Sequence, residues 1–152
     1  MACTKQNVER YLNCIVGTPL QYGFKHSDFD LFQLGFGDCV SFEKWKGQTL
    51  AINRYAIHFD SAIYLYWKHG GVDRFDSSTA DNVFSSAISK LIGTHVKKIA
   101  LSEKNDLWID LGECRIAVVT RDDCEESWRF FQPRTENPHL IASSVTLILE
   151  EN

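Results

Sequence analysis

The side chains whose types invite chemistry are few and scattered. His58-Phe59-Asp60 sets an imidazole two residues from a carboxylate, and Cys39 is the nearest thiol that could complete a Cys/His site. Such a trio would serve a small cytosolic enzyme or a ligand-binding module with its pocket in the first half of the chain. Asp106 and Asp110 are a second pair, spaced to lie on one face of a strand as two-carboxylate glycoside hydrolysis would need. Neither set sits in a supporting motif. There is no G-x-S-x-G elbow, H-E-x-x-H or P-loop, and Gly35-Phe36-Gly37 lacks the third glycine and the helix of a dinucleotide-binding turn. The five cysteines, Cys3, Cys14, Cys39, Cys114 and Cys124, fit neither a CxxC pair nor a zinc-ribbon spacing and read as reduced thiols, with Cys14 and Cys114 as small buried hydrophobes. No cofactor and no metal is expected.

Charge carries more information. Residues 1–76 hold 8 acids and 8 bases, residues 77–152 hold 12 acids and 8 bases, so the net charge of −4 arises in the second half. From residue 101 on there are 11 acids against 5 bases, including the run Asp122, Asp123, Glu125, Glu126. Phosphate neutralisation needs clustered Lys and Arg, so this distribution argues against direct nucleic-acid binding. It suits a docking surface for a basic partner, since a concentrated field speeds encounter and penalises wrong partners. Trp128 and Arg129 follow the run and supply the aromatic and arginine of an interface hot spot, although Phe130 and Phe131 beside them fit a core strand equally well. Glu103 and Asp106, at a turn earlier in the acidic half, are secondary contact candidates.

These residues must be positioned by ordinary globular elements. The chain has 152 residues, 44% hydrophobic and 24% charged, which is enough for one domain with a core needing neither disulfide nor metal. The longest apolar run, Ala62 to Trp67, is six residues against the ~18 of a membrane span, and residues 1–20 carry no signal-peptide core. The expectation is a soluble, cytoplasmic protein that does not enter a membrane.

Thr4 is placed as an N-cap ahead of Val8, Tyr11, Leu12 and Ile15 at helical period, with Gly17 and Pro19 as the stop. A second helix follows Thr79, with Asp81 in its first turn, an apolar stripe from Val83 to Ile92, and Gly93 as its end. Ile15-Val16-Gly17-Thr18 matches Leu91-Ile92-Gly93-Thr94 at an offset of 76, and Asp30-Leu31-Phe32 matches Asp106-Leu107-Trp108 at the same offset. One register over about 30 residues favours a duplicated helix-plus-hairpin unit, with halves of about 1–76 and 77–152.

Period-two alternation predicts strands at 20–24, 31–36, 39–42, 55–60, 62–67 and 72–75 in the first half. The second half gives strands at 99–101, 107–111, 115–120, 127–131 and 143–149. Ser27-Asp28, Ser102 to Asn105 and His69-Gly70-Gly71 read as turns, and Pro133 and Pro138 mark a loop. The fold class is α+β: two helices with antiparallel β-meanders in a single domain spanning 1–152.

Glu125-Glu126-Ser127-Trp128-Arg129-Phe130-Phe131, set after the Leu91-Ile92-Gly93 helix end and the Leu107 to Val119 hairpin, resembles small bacterial immunity proteins of toxin systems, notably those of contact-dependent growth inhibition. The stretch Tyr55-Ala56-Ile57-His58 is similar to their first half. The resemblance loosely covers residues 12–36 and 55–149. It implies a cytosolic, non-enzymatic antidote that binds the toxic C-terminal domain of a cognate effector, often a nuclease, and occludes its active site. No toxin-contact residue carries over, because surfaces vary widely in that family; the acidic candidates above rest on charge alone. A third class, a subunit of a larger assembly, would show a large exposed apolar patch.

Overall fold

The computed structural model describes residues 2–26, 30–43 and 49–151, excepting the side chains of 40–43 and 49–51; the expected Ser27-Asp28 turn lies outside the described residues. Helix α1 (Lys5–Leu12) begins as its cap predicts, with Thr4 Oγ1 accepting from Asn7 N at 3.2 Å, and runs into one 3₁₀ turn, Asn13–Ile15. Its apolar stripe buries Val8, Leu12 and Ile15. Gly17 then takes φ +87°, a left-handed conformation that ends the helix and that a side chain would strain.

Strands β1 (Leu20–Lys25), β2 (Phe32–Glu43) and β3 (Thr49–Phe59) form the first meander. The two strands expected at 31–36 and 39–42 are one, bent by a bulge between Phe36 and Cys39 where Gly37 adopts φ +84°. The chain then forms the hairpin β4 (Ile63–Trp67) and β5 (Val72–Phe75), turning through Gly70 as expected.

Helix α2 (Asp81–Ser89) is followed by the meander β6 (Lys98–Leu101), β7 (Leu107–Asp110) and β8 (Cys114–Val118), and then by β9 (Trp128–Phe131), β10 (His139–Ala142) and β11 (Leu147–Glu150). The helix follows Thr79 as expected, with Ala80 at the N-cap position and no side-chain cap, while Thr79 Oγ1 accepts from Asp76 N at 3.0 Å. The segment expected as one strand over 143–149 begins with a turn, in which Ser143 Oγ accepts from Thr146 N at 3.1 Å, and β10 lies where a loop was expected.

All pairing is antiparallel, in two sheets: β1-β2-β3-β9-β10-β11 and β5-β4-β8-β7-β6. Each half builds a meander in one sheet and then crosses to the other. β4 joins β8 with Ile63 opposite Val118, and β9 joins β3 with Trp128 opposite Phe59. The two matching helix ends pair with each other around the Pro19–His95 bridge: Gly17 N donates to Val96 O and Gly93 N to Leu20 O, while Val96 N donates to Thr18 O and Leu20 N to Thr94 O. Each helix packs on the first strand of the opposite half, α2 on β1 and α1 on β6. Gly23 lets α2 approach, since a Cβ there would stand 2.7 Å from Ile88 Cγ2.

One buried apolar cluster joins the inner faces of both sheets to the helices. Phe84 of α2 bridges the layers, edge-on to Phe32 at 4.8 Å in one sheet and to Phe75 at 5.5 Å in the other. Among the described residues, no helix is long and apolar enough to cross a membrane.

Candidate functional site

The acidic run occupies the crossover from β8 to β9, and its backbone is held at both ends. Val119 N donates to Ala62 O at 3.0 Å, in the opposite crossover. Thr120 N donates to Asp106 Oδ1 at 2.8 Å, and Thr120 Oγ1 to Lys104 O at 2.8 Å. Arg121 N donates to Ser127 Oγ at 3.0 Å, and Ser127 N to Ala142 O at 2.7 Å. The turn bearing Glu103 is thereby fastened to the loop bearing Asp122, Asp123 and Glu125, and all four acids are exposed. A loop ordered before contact loses less freedom on binding.

The remaining contact candidates separate. Asp106 spends its carboxylate on Thr120 and so acts as an anchor for the loop. Glu126 is half-buried and holds Arg129 through two hydrogen bonds, at 2.8 and 3.2 Å, while Arg129 also reaches His139 Nδ1 at 2.8 Å and Glu150 at 3.4 Å. Trp128 corrects the hot-spot expectation: its ring is fully buried and its Nε1 donates to Asn105 O at 2.8 Å. As the first residue of β9, opposite Phe59, it points to the core, and its acidic neighbours precede the strand.

The catalytic trio is not assembled. Cys39 lies opposite Asn53, five residues before His58 on β3, about 17 Å away along an extended strand. His58 instead sits on the outer face of the first sheet, with Nε2 2.7 Å from Gln33 Oε1 and its ring edge-on to Phe131 at 4.6 Å. Burial, reinforced by the charges of His26 and Arg129, lowers its pKa to about 4. Asp106 and Asp110 stand about 13 Å apart along β7, beyond the ~5–9.5 Å of paired glycosidase carboxylates, and Asp110 caps its own turn through Gly112 N at 2.8 Å. Among the described residues no group of three or more His, Cys, Asp or Glu could hold a metal ion. Cys114 is buried as expected, its thiol pushed up to about 11 by desolvation, whereas Cys14 is exposed on the 3₁₀ turn that extends α1.

Two features of the surface leave little mark in the sequence. The outer face of the second sheet carries a row of rings, with Tyr66 stacked 6.0 Å from Tyr64 and 5.4 Å from Trp108, flanked by Arg74 over Tyr64 and Arg115 over Trp108, each at 5.7 Å. Its signal was the alternation of Tyr64 and Tyr66 inside the apolar run. The second feature is a cleft of about 410 Å³ beside the acidic loop, lined by Asp60, Ser61, Tyr64, Arg74, Asp76 and Arg121 among others. No sequence signal joins Asp60 to Arg121, which meet at 3.4 Å only because the two crossovers pass each other. Among the described residues, the large apolar side chains that are exposed, Val72, Val83, Ile92, Val145 and Ile148, lie on separate elements.

No family model, curated protein or solved structure matches this chain.

Proposed function

We propose that this protein is a cytoplasmic, non-enzymatic immunity protein that binds a cognate bacterial toxin domain and occludes its active site through the acidic loop 121–126. The observation that carries this reading is the loop itself: Asp122, Asp123 and Glu125 are exposed between flanking residues Val119, Thr120 and Ser127, whose backbone N–H groups donate to Ala62, Asp106 and Ala142. Exposed carboxylates gathered in one loop are a poor way to stabilise a fold and a good way to meet a positive surface. A nuclease domain is the partner class that fits, because a groove that holds phosphate is basic and an acidic loop can fill it. The matched helix ends, and the equivalent routes of the two halves between sheets, support descent from a duplicated helix-plus-meander unit, which we include in the proposal.

The test is protection. Expressing the toxin domain captured by this protein should arrest growth, and co-expressing this protein should restore it. Reversing charge at Asp122, Asp123 and Glu125 should weaken that rescue while the fold stays intact. Full rescue by the charge-reversed protein would place the docking surface elsewhere.

A further inference from the structure

We propose that the cleft beside the acidic loop is a receptor for one arginine side chain of the partner, with Asp60 and Ser61 accepting hydrogen bonds from its guanidinium. The cleft opens where the two crossovers meet, between 60–62, leaving the first sheet, and 119–121, leaving the second. Two adjacent residues there have unspent polar atoms. Ser61 is 2% exposed and its Oγ has no partner, and the Oδ1 of Asp60 is buried and likewise unpartnered. Buried polar atoms of this kind are rare in folded proteins, because each forgoes the hydrogen bonds it had in water.

The cleft's sign follows from which groups are already committed. Arg74 is paired with Asp76 and donates from Nε to Tyr64 Oη at 3.0 Å, and Arg121 lies between Asp60 Oδ2 at 3.4 Å and Asp123 at 3.5 Å. Each of these guanidiniums already has a carboxylate partner, whereas Ser61 Oγ and Asp60 Oδ1 have no hydrogen-bond partner. A guanidinium presents five N–H donors in a planar fork, so it can serve a carboxylate oxygen and a neighbouring hydroxyl together, which a point-like ammonium does less well. Burial also holds the Asp60 carboxyl above its usual range, against the pull of Arg121, and an incoming cation would relieve that penalty. Asp123, 3.5 Å from Arg121, adds one further carboxylate next to a cleft-lining residue.

This inference rests on the proposed function only for the source of the arginine; the chemistry of the cleft can be tested without a toxin. Agmatine, a free guanidinium compound, is titrated into the isotopically labelled full chain while amide resonances are followed, with acetate as the anionic counterpart. Saturable shifts at Ser61, Ala62 and Val119 to Arg121 are expected with agmatine. Affinity should fall about tenfold in Asp60→Asn and in Ser61→Ala. Shifts that do not saturate, or that persist unchanged in both cleft variants, overturn the proposal. Acetate moving the same amides where agmatine does not would make this an anion site and also overturn it. With a captured toxin domain, Asp60→Asn should weaken the complex about tenfold. Agmatine binding with unaltered toxin affinity would refute the partner arginine while leaving the acidic loop to stand on its own test.

Discussion

Acidification should destabilise this protein through His58. The ring is half-buried against Phe131 and Gln33, near His26, Arg129 and His139, and its pKa in the folded state is about 4, against 6.5 for the exposed side chain. Above pH 6.5 the ring is neutral in both states and contributes nothing to the pH dependence. As pH falls below 6.5 the unfolded chain takes up a proton that the folded protein refuses, so stability declines until about pH 4, where the folded state accepts it too. The gap corresponds to ~3.4 kcal/mol for a fully desolvated ring. Solvent screening at this part-exposed position reduces that to about 1.5 kcal/mol. Urea unfolding, followed by tryptophan fluorescence at steps from pH 7.5 to 4.5, measures the loss. His139 is lowered in the same direction, first by burial, and Asp60 is raised and works oppositely, so the comparison that isolates His58 is with His58→Gln. The variant should lose about 1.5 kcal/mol less over that range. Parallel loss in both proteins would refute the reasoning.

Two further perturbations follow from packing and backbone geometry. Gly23→Ala sets a Cβ 2.7 Å from Ile88 Cγ2 and 3.0 Å from Leu34 Cδ2, so it should cost about 1–3 kcal/mol in chemical denaturation. Asn105 adopts φ +64° and its Nδ2 donates to Ser143 O at 2.9 Å, tying the 102–106 turn to the β10–β11 turn. Asn105→Gly should cost about 1–2 kcal/mol for the lost bond, and Asn105→Ala about 1 kcal/mol more for the left-handed backbone, read as successive drops in melting temperature.

Local chemistry made much of this fold legible. Thr4 and Gly17 bound α1 because capping and left-handed termination depend on single residues. The alternation of Leu107, Ile109 and Leu111 marked β7, since each faces the core. Competition between neighbours hid the rest. Thr79 has the right chemistry for a cap, but Asp76 N claims its hydroxyl. β10 is four residues pressed against Pro138, too short for periodicity to register, and Ser143, which opens an apolar stretch that resembles a strand, organises a turn. The exchange of strands between sheets left no mark, because crossovers at 60–62 and 119–127 resemble ordinary loops; only the pairings of Phe59 with Trp128 and Ile63 with Val118 reveal it. The same exchange hid the cleft and turned Trp128 inward. The acids at 122, 123 and 125 were readable as a surface because nothing buries three adjoining carboxylates without partners.

The central proposal is that this acidic loop docks a basic domain, and the most direct measurement is the association rate constant between the protein and the toxin domain proposed as its partner, followed across ionic strength. The rate should fall by about 10- to 10³-fold from low to high salt, and Asp122→Lys, Asp123→Lys, Glu125→Lys should slow association at low salt and flatten that dependence. A rate indifferent to salt, or one that the triple variant leaves unchanged, would contradict it.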